Sequence, residues 1–219
     1  MHGGAITLAE KFNNLDFTPD LILATDMLNL SSFLALTRER TAGVPTSVYF
    51  HENQLTYPWS PIDRNIESKR DHYYSFINYI SAYISDKVFF NSAYHKDIFL
   101  KELKPFLKMF PDKQSLKTID VIRAKSEVLH LGVDLNKMSL RKPASVKNKK
   151  PLILWNHRWE YDKNPEDFVN ALITLKNRNI NFDVAFLGEC FNKVPEIFLK
   201  VKNRLLFHER SFPYLSLFL

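Results

Sequence analysis

Residues 152–176 read LILWNHRWEYDKNPEDFVNALITLK, and this stretch decides the fold. Leu152–Trp155 is a short apolar run of strand length, and Asn156–Asn164 interrupts it with polar, charged and aromatic residues. Pro165–Lys176 then predicts a helix that Asn164 can cap or Pro165 can start, because neither position needs a free intrahelical N–H. A strand that empties through a loop into a helix is half of a parallel βαβ unit.

The same alternation runs outward in both directions. Upstream, strands are predicted at Leu21–Ala24, Ser47–Phe50, Lys87–Phe90 and Glu127–Leu131, separated by helices at Leu30–Arg38, Glu67–Ser85 and Ala93–Leu107. Downstream come a strand at Phe182–Leu187, a helix at Val194–Lys202 and a short apolar run, Leu205-Leu206-Phe207. This is the signature of an α/β fold. Between the two sets lies a basic segment with one proline and no acidic residue, carrying Lys137, Arg141, Lys142, Lys147, Lys149 and Lys150. The expected organisation is therefore a parallel-sheet domain over residues 1–136, a basic linker over 137–150, and the start of a second α/β domain over 151–219.

Composition narrows the function classes. The 219 residues are 45% hydrophobic and 25% charged, an ordinary balance with material for a core. Five glycines leave neither a GxGxxG nor a GxxxxGK[ST] motif, so the standard dinucleotide and P-loop fingerprints are absent. The single cysteine, Cys190, excludes an internal disulfide framework and a Cys-based zinc cluster, and fits a reducing compartment. No apolar run approaches the length of a membrane span, so no membrane association is expected and a cytoplasmic protein is. Charge is unevenly placed. Residues 1–61 hold three basic and six acidic side chains, and residues 96–150 hold fourteen basic and six acidic ones, a local net of +8. Such a stretch can track a phosphate backbone, or can simply be a solvated helix face and linker.

In open parallel sheets ligands bind at the carboxyl ends of strands. His51-Glu52-Asn53-Gln54 follows strand Ser47–Phe50, and no zinc-protease motif is formed because Leu55 occupies the place of a second histidine. His51 at this position can bond a sugar hydroxyl or carry a proton, or it can cap the strand structurally. Asn91-Ser92 after Lys87–Phe90 has the form of a helix N-cap. After Leu152–Trp155, the run from Asn156 through His157 to Lys163 brings Arg158 and Lys163 beside a helix start. A planar fork, a point charge and free N–H groups together suit a diphosphate. The alternative is a set of surface ion pairs with Glu160, Asp162 and Glu166. Gly188-Glu189 ends the next strand, where glycine admits close backbone approach. No carboxylate cluster asks for a metal.

Two of these stretches carry a resemblance. Tyr49-Phe50-His51-Glu52-Asn53-Gln54-Leu55-Thr56-Tyr57-Pro58 and Trp155-Asn156-His157-Arg158-Trp159-Glu160-Tyr161-Asp162-Lys163-Asn164-Pro165-Glu166 resemble the hallmark segments of the tRNA-queuosine α-mannosyltransferases. Leu187-Gly188-Glu189, Val194–Phe198, Asn91-Ser92 and Met109–Asp112 are similar to its further parts, so the resemblance runs to about residue 205. More distantly, Arg158 with Lys163 is similar to the Arg/Lys pair of retaining GT-B-type glycosyltransferases. The resemblance implies a GT-B fold of two Rossmann-like parallel-sheet domains with the active site in their cleft. It also implies transfer of mannose from GDP-mannose to queuosine in the anticodon of tRNA-Asp, with no metal or other cofactor. It gives Arg158 and Lys163, with Gly188 and Glu189, to the donor, and makes His51 the catalytic contact near the reacting carbon. Glu52, Asn53, Asn91, Ser92 and His157 would line the cleft. The chain departs from the family pattern at both ends: it begins near Gly3-Gly4 and closes on the apolar tail Ser211–Leu219. Both domains are therefore expected to be incomplete. A lipid- or glycan-directed glycosyltransferase and a non-catalytic tRNA- or nucleotide-binding remnant are the alternatives.

Overall fold

A computed structural model describes residues 3–58, 72–139, 150–188, 197 and 205–209. Contacts divide the chain into two units, one of residues 1–58 and 64–132, the other of residues 59–63 and 133–219. In chain order the first unit holds α1 (Gly4–Asn13), β1 (Ile22–Thr25), α2 (Leu30–Leu36), α3 (Arg38–Thr41), β2 (Thr46–Phe50), α4 (Tyr73–Ile84), β3 (Lys87–Phe90), α5 (Ala93–Leu107), α6 (Thr118–Ala124) and β4 (Ser126–Val128). The second holds α7 (Leu135–Ser139), β5 (Leu152–Asn156), a 3-10 turn (Tyr161–Lys163), α8 (Pro165–Asn177), β6 (Asp183–Leu187) and β7 (Leu205–Glu209).

Each unit is an α/β, Rossmann-like layer structure around a parallel sheet, ordered β1-β2-β3-β4 in the first and β5-β6-β7 in the second. Strand β2 is buried at every position, as a central parallel strand covered on both faces must be. Its Val48 and Phe50 pack with Val88 and Phe90 of β3 and with Phe99, Leu103 and Leu107 of α5. The Phe50 and Phe90 rings stack at 5.1 Å. In the second unit Trp155, Val169, Leu172, Val184 and Phe186 form the core, and Trp159 from the loop after β5 is buried with them.

Parallel register then decides what meets at the carboxyl edge. Thr25 pairs with Tyr49, Phe50 with Phe90, and Phe90 with Val128. The residues that follow, His51, Asn91 and Leu129, therefore stand side by side, and Asp26, level with Phe50, stands one position before them. In the second sheet Asn156 pairs with Leu187, which aligns His157 with Gly188.

Several elements depart from expectation for identifiable reasons. The helix expected over Leu30–Arg38 breaks at Thr37, whose hydroxyl donates back to the Phe33 carbonyl at 2.8 Å while its backbone leaves the helical region. The strand expected over Glu127–Leu131 ends at Val128, and Leu129 and Leu131 are exposed. Helices α1 and α6 were not expected. α1 buries only the small side chains Ala5 and Ala9, and α6 buries Ile119 and Ile122 within seven residues, too little for a periodic signal. Lys137 lies in the short helix α7, whereas the rest of the linker from residue 140 to 149 lies outside the described residues, as do residues 67–71 of the long helix, Cys190 and the tail Ser211–Leu219. Of the helix expected over Val194–Lys202, only Ile197 is described, and it is helical.

Candidate active site

The carboxyl edge of the first sheet is built around Asp26, whose carboxylate is 2% exposed. Its Oδ1 accepts the backbone N–H of His51 at 3.0 Å and lies 3.3 Å from the His51 ring Nδ1. The His51 ring meets Tyr49 edge to face at 4.8 Å and remains half-exposed. Behind them, buried Asn78 of α4 donates to the Asp26 carbonyl at 2.8 Å and accepts the Gln54 N–H at 2.7 Å. One amide thus ties the end of β1, the loop after β2 and α4 together, an arrangement that favours a single geometry.

On the other side of His51, the Asn91 amide donates to the His51 carbonyl at 2.8 Å. Its oxygen lies 3.0 Å from Nδ1 of buried His95, and its backbone carbonyl accepts from Nδ1 of His130 at 3.1 Å. Burial lowers the His95 pKa from the ordinary histidine value, with the negative charge of Asp26 acting in the opposite sense. Ser92 caps α5 by accepting the His95 N–H at 3.1 Å, as its sequence position foretold. Glu52 accepts from the Gln54 side chain at 3.1 Å. Asn53 is buried, and its oxygen is taken by the N–H groups of Leu55 and Thr56 and by the Thr56 hydroxyl, so this side chain builds the turn at 53–56. Beside this edge, Met27, Asn29, Tyr73, Tyr74 and Ile77 line a cavity of about 240 Å³.

The second unit presents a different kind of site. Gly188 follows β6 with φ +132°, and a Cβ there would lie 1.9 Å from the His157 carbonyl oxygen. Only glycine lets the two strand ends approach so closely. Glu189, its expected companion, lies outside the described residues. The loop from His157 to Asn164 is anchored by buried Trp159 and closes on Asn164, which takes a left-handed backbone conformation (φ 51°) and caps α8 ahead of Pro165. His157 is exposed, with its ring against Trp155 at 5.4 Å. Arg158 is half-exposed and pairs with Glu160 at 3.5 Å. Lys163, 30% exposed, donates to nearly buried Asp162 at 2.7 Å. Two of the three carboxylates that offered ordinary ion pairs are thus engaged. Glu166 and Asp167 occupy the first turn of α8.

Register therefore joins His51, Asn91 and Ser92 in one unit and His157 and Gly188 in the other. Sequence reasoning overlooked Asp26 and Asn78, and read His95 and His130 as structural. The signal that could have found Asp26 was its place directly after a strand, the same signal that singled out His51. For His130 that reading rested on a strand that ends two residues earlier. Among the described residues no group of three or more His, Cys, Asp or Glu side chains is arranged to hold a metal ion. Among the same residues no helix is long and apolar enough to cross a membrane.

Two α/β units, each with a parallel sheet, define a Rossmann-like protein, a class in which ligands bind at the carboxyl ends of strands. Residues 1–133 match the family described as tRNA-queuosine alpha-mannosyltransferase N-terminal. A relative from Drosophila melanogaster, named tRNA-queuosine alpha-mannosyltransferase, is 33% identical over 214 residues, covering 93% of this chain and 55% of its own length. The chain belongs to the tRNA-queuosine alpha-mannosyltransferase family, and it spans about half the length of this curated relative.

Proposed function

We propose that the chain serves mannose transfer from GDP-mannose to queuosine in the anticodon of tRNA-Asp, through a GT-B-type reaction without a resident metal. The observation that carries this reading is the 33% identity to the queuosine enzyme over nearly all of the chain, which embraces both strand-end loops. In the second unit, Arg158 and Lys163 hold the donor diphosphate and offset the charge that grows on the departing GDP. Both cations exchange their Glu160 and Asp162 partners for phosphate oxygens, and Gly188 and Glu189 complete the donor pocket. In the first unit His51 contacts the reacting sugar. Retention follows from attack on the face that the leaving group vacates, the phosphate taking the acceptor proton.

The tRNA partner is supported by α5. Lys101, Lys104 and Lys108 are exposed at three-and-seven spacing, and Tyr94 of the same helix is 78% exposed one heptad before Lys101. Lysines that neutralise phosphates and an aromatic face that stacks a base are the two ingredients of RNA binding. Asp97 and half-buried Glu102 of the same helix moderate the charge without reversing it. The reaction belongs with the cytoplasmic tRNA pool.

The test incubates the purified chain with GDP-mannose and queuosine-containing tRNA-Asp and examines the digested nucleosides by mass spectrometry. A gain of one hexose on queuosine is expected. Hexose transfer to a lipid or glycan instead would overturn the acceptor, and saturable GDP-mannose binding with no transfer would leave a nucleotide-binding remnant.

A further inference from the structure

The pairing of Asp26 with His51 decides which ring nitrogen of His51 carries the proton. A carboxylate only accepts hydrogen bonds, so Nδ1, which lies 3.3 Å from Asp26 Oδ1, must be the donor. The same oxygen accepts the His51 backbone N–H at 3.0 Å, which holds main chain and ring to one carboxylate. Asp26 is itself fixed, because Asn78 grips its carbonyl and its side chain is buried beneath the half-exposed ring. The remaining neighbours do not compete for Nδ1: Tyr49 touches the ring edge to face, and Asn91 bonds the His51 carbonyl, with His95 and His130 bonded to Asn91.

We propose that Asp26 is a positioning residue that holds neutral His51 in the Nδ1–H tautomer, so that the half-exposed ring presents an Nε2 lone pair outward. Free histidine side chains in water favour the opposite, Nε2–H form, so the assignment is not the default. A lone pair at Nε2 matches a hydroxyl donor and is mismatched to a phosphate oxygen, which brings no proton. Resting on the transfer reading above, this assigns neutral His51 to a hydroxyl of the sugar or of the cyclopentenediol rather than to the diphosphate.

Long-range nitrogen–proton NMR on the 15N-labelled chain tests the tautomer without any turnover, so its outcome is separate from that of the transfer assay. Spectra are recorded at about pH 8.5, roughly two units above the ordinary value of a histidine. The expected pattern is a protonated Nδ1 and an unprotonated Nε2 for His51. Asp26→Ala should shift the population to Nε2–H, and Asp26→Asn should restore Nδ1–H, because the His51 N–H steers the amide oxygen into the same place. An Nε2–H ring in the unaltered chain would overturn the proposal, and this holds even where the alanine variant fails to fold. Persistence of Nδ1–H in a folded Asp26→Ala chain would overturn it as well.

Discussion

The two carboxyl edges solve the problem of holding polar groups in opposite ways. In the first unit Asp26, Asn78 and Asn91 are bonded to residues far away in sequence, and Asp26 and Asn78 are buried. In the second, Arg158 and Lys163 are solvent-accessible and, among the described residues, pair with carboxylates one or two positions away. The first edge is a rigid platform whose geometry exists before any ligand arrives. The second carries cations on short-range ion pairs, on a backbone that Gly188, Trp159 and Asn164 keep in shape. Substitutions should therefore damage stability at the first edge and ligand affinity at the second, except where they strike the backbone anchors.

The sharpest break of that contrast is Gly188→Ala. It forces a side chain into the left-handed region against the His157 carbonyl, and should cost on the order of 3 kcal/mol in chemical denaturation of the second unit. Next, Lys163→Ala and Arg158→Ala should each weaken GDP-mannose binding about tenfold or more by calorimetry; Arg158→Ala should leave the melting temperature nearly unchanged, because its pair is solvent-accessible, whereas Lys163→Ala should also lower it by taking the cation from nearly buried Asp162. Asn78→Ala should show the reverse. It strands the Gln54 N–H and the Asp26 carbonyl, at about 1–3 kcal/mol of stability. Replacing Lys101, Lys104 and Lys108 by glutamate should lower tRNA affinity and flatten its salt dependence, with no change in GDP-mannose binding.

The smallest effect is a pH dependence. The folded-state His95 pKa lies below its unfolded value, so the unfolded chain binds the extra proton first. Stability is fully present above about pH 6.5 and is lost as pH falls from there toward the lowered folded-state pKa. His95→Gln should flatten that decline in urea titrations run between neutral and mildly acidic pH.

Legibility followed the range of the interactions. Lys87–Phe90 and Ala93–Leu107 were readable to the residue because composition and local caps decide them. The positions of His51, Asn91 and Gly188 at strand ends were readable for the same reason. Asp26 and Asn78 were not, since their partners lie 25 and 52 residues away and only the parallel register brings them together. Gly188 looked like an ordinary turn glycine until the alignment of β5 with β6 placed the His157 carbonyl against it. Asn53 lay in the right motif, yet its oxygen is consumed by its own turn, which the residue type alone does not reveal.

The claim at the centre of this account is that the loop from His157 to Asn164 receives a sugar nucleotide. A residue-resolved NMR titration of the chain with GDP-mannose tests it most directly. Saturable shifts at the Arg158 and Lys163 side chains and at the amides of the first turn of α8 are predicted. Saturable shifts confined to the first unit, or none that saturate, would contradict it.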